Sequence, residues 1–260
     1  MHVTTNDRVT RAVQAMYTDV ATRPGAGFHF PTGRAACEWV GYPTEEIDAL
    51  PPSAVESFAG VGYPFAADGM EQGDTVLDIG CGSGTDVLIA ARRVGAQGRV
   101  IGLDMTRAMR EKCLANARAA GADNVEIVDG RAESVPLPDE HVDVVTSNGV
   151  INLVPDKDAA AREIHRVLRP GGRVQIADIV VRDMPSEACR AQPQLWAECI
   201  VGATTLDRYL DSFRHAGFAE VEALSDRRLD YFAASDSEST RETAAGFGAH
   251  SIVMRAVKPA

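Results

Sequence analysis

A chain of 260 residues, 45% of them hydrophobic, can bury one large core, and a single α/β domain with elaborations is the expected solution. A formal net charge of −11 with no basic stripe argues against a nucleic-acid partner, because phosphate binding needs clustered Lys and Arg to displace counterions. No apolar run approaches the ~20 residues of a membrane span. The first eight residues lack a secretion pattern, and five cysteines without a CxxC pair read as reduced thiols, so a cytoplasmic protein without a membrane partner is expected.

Val9, Val13, Met16 and Val20, spaced three and four apart, predict a helix over about 7–22. A punctuated loop, Arg23 to Gly27, leads to Phe28-His29-Phe30-Pro31, then to short helices at about 33–41 and 44–49. The Pro- and Gly-rich stretch from Pro51 to Met70 reads as an ordered loop with one helical turn. From Thr75 onward, β-branched runs alternate with helical patterns. Strands are expected at 75–79, 100–104, 125–128, 142–147 and 173–178, with helices at 85–94, 106–120 and 157–168 among them. Near-continuous apolar strands alternating with helices signal a parallel sheet covered on both faces. Beyond Asp178, helices are expected at about 185–201 and 204–216. Runs at 227–233 and 249–257 read as a closing antiparallel pair, with 235–248 between them exposed. Residues 1–65 then form a helical cap, and residues 66–260 the main domain, with acceptor-side insertions at about 180–216.

The turn Asp78-Ile79-Gly80-Cys81-Gly82-Ser83-Gly84 follows a strand and opens a helix, where glycines let backbone N–H groups approach a ligand. The dinucleotide pattern G-x-G-x-x-G would require glycine at 85, where this chain has Thr85. Asp78, two residues before the first glycine, would repel a pyrophosphate but pair with an ammonium. That combination favours S-adenosylmethionine over a nicotinamide cofactor. Asp104, about twenty residues beyond the glycines, suits the ribose hydroxyls, or else caps the helix that follows. Met105 packs on the adenine or belongs to the core.

These residues resemble the class I methyltransferases across about 70–180, on Val76 to Gly84, Gly102 to Met105, Leu137-Pro138-Asp139 and Val167 to Gly172. A narrower resemblance, to the arsenite methyltransferase family, rests on Ser147 to Lys157 and Leu195 to Ala203. It implies a Rossmann-like fold: a mostly parallel seven-stranded sheet with helices on both faces, an antiparallel edge strand and an N-terminal helical lid. It also implies adenine contacts at Arg131 and Ala132, and places Asn148 beside the sulfonium. That family holds As(III) on three cysteine thiolates. One of those positions falls here on Cys199, but the other two fall on Val61 and Gly149, so the chelate is incomplete and no metal site is expected.

The resulting expectation is methyl transfer from S-adenosylmethionine to a small-molecule acceptor through O, N, C or S. Arsenite or a methylarsenical is the alternative acceptor, and a non-catalytic cofactor-binding protein or an NAD-dependent oxidoreductase the alternative class. Candidate catalytic groups are Asp178, Cys199 and His29, with Tyr63 and Glu198 as further bases. Phe28, Phe30, Trp39, Phe58 and Trp196 are candidate apolar walls of the site. No sequence feature assigns an oligomeric state.

Overall fold

A computed structural model describes residues 5–186, 196, 200–224 and 230–260. Seven strands form one sheet in the order β3-β2-β1-β4-β5-β7-β6. They are β1 (Thr75–Ile79), β2 (Arg99–Asp104), β3 (Val125–Asp129), β4 (Val142–Asn148), β5 (Leu168–Val180), β6 (Ala219–Ala223) and β7 (His250–Val257). The first five are mutually parallel, and β7 runs antiparallel to both β5 and β6. The strand order reverses between β1 and β4, and a crevice at the carboxyl ends of such a pair is where open α/β sheets bind ligands.

Alternation within the central strands builds two cores. Val76, Val100 and Val144 face one side, against the helices α5 (Thr85–Val94) and α6 (Arg107–Ala119). Leu77, Ile101 and Val145 face the other, against α7 (Lys157–Val167) and α8 (Leu206–His215). The helices of the N-terminal segment add a layer to the first core: α1 (Thr5–Thr22), α2 (Gly33–Trp39), α3 (Thr44–Asp48) and α4 (Pro52–Glu56). The predicted α1 stripe is its buried face, with Val9, Val13 and Val20 at most 4% exposed. Lys112 on α6 pins this layer, its Nζ donating to the Ala21 carbonyl (3.1 Å), Ser57 Oγ (2.8 Å) and Glu56 (2.7 Å). Among the described residues no helix is long and apolar enough to cross a membrane.

The structure departs from the sequence reading in three places. β5 starts at Leu168, not at Arg173: Leu168 pairs with Val142, residues 169–172 loop out opposite Asp143, and pairing resumes at Arg173 with Val144. The strand beside β7 is Ala219–Ala223, whose half-exposed Ala-Glu-Val-Glu-Ala run carries little apolar signal. The run predicted there, 227–233, lies partly outside the described residues, and Tyr231–Ala234 is a 3-10 turn that buries Tyr231 and Phe232. Finally, the segment expected to be exposed, 235–248, holds the helix α9 (Glu238–Phe247), capped by Ser237 and burying Thr240 and Ala244. The helix expected at 185–201 lies largely outside the described residues.

Asp178, near the end of β5, is fully buried and ties three elements together. It accepts from the Asn152 N–H (2.9 Å), from its neighbour Ile179 N–H (2.8 Å) and from the Tyr209 hydroxyl on α8 (2.7 Å). Burial pushes its carboxyl up to about 6 despite these donors. Folding thus raises its proton affinity, so its contribution is complete below the ordinary carboxylate range and is lost as pH rises through about 6. Tyr209→Phe removes one donor from this buried group and should cost about 1–3 kcal/mol in urea denaturation. The loss should be larger at pH 7.5 than at pH 5, where the protonated acid needs the donor less.

Candidate active site

The cleft sits over the carboxyl ends of β1, β2 and β4. Its floor is the glycine turn, where Gly80, Gly82 and Gly84 all have positive φ (75°, 51° and 98°). The three differ in purpose. A Cβ at Gly80 would overlap the Val150 side chain, and one at Gly84 would lie 2.8 Å from Cys113 Sγ, so both are needed for packing. A Cβ at Gly82 would meet only the Gly80 carbonyl, at 3.9 Å, and otherwise points into open space. Side-chain-free backbone facing an open cleft is the cradle that a ligand held on this turn requires.

Asp104 braces that turn. One carboxylate oxygen accepts from the Gly82 N–H (3.0 Å) and the other from the N–H of Thr106 (2.7 Å), the residue before α6, so it fixes the glycine turn against the start of that helix. Each oxygen keeps a second lone pair for a ribose hydroxyl. Met105 is half-buried beside it, its carbonyl accepting from Gln14 Nε2 of α1 at 3.1 Å. Arg131 and Ala132 line the same end, the former paired with Glu133 at 2.9 Å.

Asp78 is 2% exposed. One oxygen accepts from Thr146 Oγ1 (2.7 Å), while no described residue donates to the other, although the side chain lines the cleft. Burial, followed by the charge of Asp86, holds its carboxyl well above the usual range. A buried carboxylate with a spare oxygen and no cation bonded to it fits an incoming ammonium.

Asn148 occupies the cleft wall, but its amide serves the protein. Oδ1 accepts from the backbone N–H of Val61 (2.7 Å) and Gly62 (3.2 Å), and Nδ2 donates to the Gly62 carbonyl (2.9 Å). Nδ2 also reaches the Tyr42 hydroxyl (3.0 Å) and Asp86 (3.1 Å), and that hydroxyl donates in turn to Asp86. The result clamps loop 60–62 against the end of β4. The approach is close enough that a Cβ on Gly60 would lie 2.5 Å from Asn148 Nδ2, and one on Gly62 2.7 Å from Ala177 Cβ. The clamp brings Val61 against Gly149: a Cβ at Gly149 would lie 3.0 Å from Val61 Cγ1.

The sequence-derived cofactor residues Asp78, Gly80, Gly82, Asp104, Met105, Arg131, Ala132 and Asn148 all line this one cleft, with Gly84 immediately behind it. The candidate catalytic groups are not gathered there. Asp178 is spent on the bonds described above, behind the sheet end. His29 stands edge-on to Phe30 at 4.8 Å outside the cleft, and burial lowers its proton affinity. Cys199 and Glu198 lie outside the described residues. Tyr63 donates to Glu46 (2.9 Å) and accepts from Arg93 (2.6 Å), away from the cleft. Of the expected walls only Phe58 lines it; Trp196 instead donates to the Leu153 carbonyl at 2.9 Å, from behind the cleft. Sequence reasoning missed Asp86 and Tyr42, and its expected N-terminal helical lid is present as Thr10, Val13 and Tyr17 of α1, which it did not name as cleft residues. The first had a signal, an acid in the opening turn of α5, where the helix dipole favours negative charge.

A methyltransferase domain family model matches residues 70–217. The chain belongs to the S-adenosylmethionine-dependent methyltransferases. It is 37% identical over 208 residues to an arsenite methyltransferase of Halobacterium salinarum, covering 80% of this chain and 53% of that protein. It is 35% identical over 177 residues to an arsenite methyltransferase of Aquipseudomonas alcaligenes, covering 65% of this chain and 51% of the other. The chain thus spans about half the length of these curated relatives. Among solved structures it is similar to an arsenic(III) S-adenosylmethionine methyltransferase from Chlamydomonas reinhardtii, with a TM-score of 0.60 and 29% identity, over 89% of this chain and 74% of that one.

Two variants probe the cleft. Gly82→Ala places a methyl where only ligand space exists, so S-adenosylmethionine affinity should drop sharply in calorimetry, while stability falls by about 1 kcal/mol for a side chain at positive φ. Asp78→Asn keeps the Thr146 bond but removes the charge, and should weaken the same affinity about ten- to a hundredfold, the worth of one charge-assisted hydrogen bond.

Proposed function

We propose that this chain transfers a methyl group from S-adenosylmethionine to a small-molecule acceptor that enters between loop 58–62 and residues 149–155. The observation that carries this reading is the change in the cleft along its length. One end offers Asp104, Arg131 and Ala132; the middle offers the spare oxygen of Asp78 and the bare backbone of Gly82. The other end is walled by Phe58, Ala59, Gly149, Val150, Leu153 and Val154, all without charge.

The cofactor, when bound, supplies a methyl carbon already activated by a positively charged sulfur. The protein's part is therefore alignment and exclusion of water. Asp78 and Gly82 would hold the amino-acid tail, Asp104 the ribose, and Met105 with Ala132 the adenine. Val13 and Tyr17 of α1 close the roof against water, and the clamped loop 60–62 confines the acceptor to the apolar end. An uncharged wall suits a small, weakly solvated nucleophile and offers no anchor for a phosphate or a polyanion. A labelled-methyl assay across neutral thiols, amines, phenols and carbon acids tests this reading. Transfer to any of them supports it, whereas tight cofactor binding with no transfer would assign the chain to a non-catalytic role.

Arsenite is the second reading, favoured by the relatives and by one piece of geometry. The two positions that the arsenite family gives to cysteine, 61 and 149, face each other here, but as Val and Gly. Among the described residues, Cys37, Cys81 and Cys113 are buried as thiols and no cluster of three potential metal ligands exists. On this reading the wild-type chain turns over As(III) with S-adenosylmethionine and a thiol. On the first it does not, and Val61→Cys combined with Gly149→Cys raises As(III) binding in a thiol-competition titration.

A further inference from the structure

Asp86 is a buried acid that the mechanism leaves without a task. It is 7% exposed, sits in the first turn of α5 and lines the same cleft as Asp78. Its two oxygens take the Tyr42 hydroxyl and the Asn148 amide, both neutral donors. Asp78 is likewise bonded only to a neutral donor, Thr146, and turns an unpartnered oxygen to the cleft while 2% exposed. Two carboxylates thus share one cleft with no cation of the described residues bonded to either. Around Asp86, Glu46 of α3 opposes a second negative charge, and Cys37 of α2 and Tyr42 stand as buried neutral acids. Around Asp78 the further charge is that of Asp104. Arg93 acts on Asp86 only through space, being engaged with Glu46 (2.7 Å) and Tyr63 (2.6 Å).

We propose that Asp78 and Asp86 hold one proton between them in the ligand-free protein, and that the ammonium group of the donor's amino-acid tail replaces it on binding. The exchange is balanced: one positive charge enters on nitrogen and one leaves as a proton to the buffer, so the buried pair never carries two uncompensated charges. Burial raises both carboxyls, Asp78 further than Asp86, which is pushed up to about 6, so the last proton of the pair stays on Asp78 above that pH. It follows that the affinity rises with pH above about 6, by up to about tenfold per pH unit, and levels off only where the free pair gives up its last proton. The inference rests on the cofactor reading above and extends it: Asp86 becomes part of the charge machinery of binding, and Tyr42 sets when the pair lets its proton go.

The test is calorimetry at pH 7 in buffers of different ionisation enthalpy, which counts protons released. S-adenosylmethionine and S-adenosylhomocysteine, which share the ammonium, should each release about one proton, and 5′-methylthioadenosine, which lacks the tail, close to none. In Asp86→Asn the carbonyl still accepts from the Asn148 amide, while the Tyr42 hydroxyl must find another acceptor. This variant should release fewer protons, because the charge of Asp86 no longer helps to hold the proton on Asp78. Tyr42→Phe removes a donor that favours the charged form, and should move the release midpoint to higher pH. Circular dichroism establishes that both variants fold. Equal release by 5′-methylthioadenosine, or full release persisting in Asp86→Asn, would overturn the proposal and leave the cofactor reading standing. Failure of all three ligands to bind would remove both.

Discussion

The side-chain amide of Asn148 ties loop 60–62 to the end of β4. Its carbonyl receives two backbone N–H groups of loop 60–62, and its nitrogen serves that loop, Tyr42 and Asp86. A primary amide can offer two acceptor and two donor positions, and here nearly all are used inside a half-buried site, so each unmade bond would cost a desolvated polar group. The loop is thereby held against β4 with glycines at 60 and 62, where no side chain would fit. The acceptor wall, the contact of Val61 with Gly149 and the environment of Asp86 all follow from that single residue at the end of β4.

Much of the sheet could be read from the chain alone, for a physical reason. Strands buried on both faces are predominantly apolar, and β1, β2 and β4 are marked by clusters of Val, Leu and Ile. The helix Thr85–Val94 matched residue for residue, since a glycine turn before it and Gly95 after it mark both ends. β6 was missed because an edge strand needs only one apolar face and here has almost none. α9 was missed because its buried face consists of Thr240 and Ala244, residues that carry little hydrophobic signal.

The cofactor end of the site was similarly legible, because it depends on short-range features: an acid, three glycines and a second acid on consecutive strand ends. The acceptor end was not. Asp178 looked available as a base, since a carboxylate at a strand end points toward the crevice in such folds. The structure instead surrounds it with its own next residue and with Tyr209 and Asn152, which lie 31 and 26 positions away, so that no local pattern reveals them. Asp86 and Tyr42 escaped notice for the same reason: an acid in a helix's first turn and a tyrosine after a glycine are ordinary until the fold puts them together.

The helix α1 does two jobs at once. Val9 and Val20 belong to the core, whereas Thr10 and Tyr17 hang over the cleft, and Val13 does both. Gln14 ties the helix to Met105 at the far wall by a bond to its carbonyl. Anything as large as a nucleoside passing in or out must lift this roof, and lifting it exposes core valines to water. Exchange of the spent molecule for a fresh one is therefore a small unfolding event, and its rate belongs to the helix rather than to the chemistry beneath it.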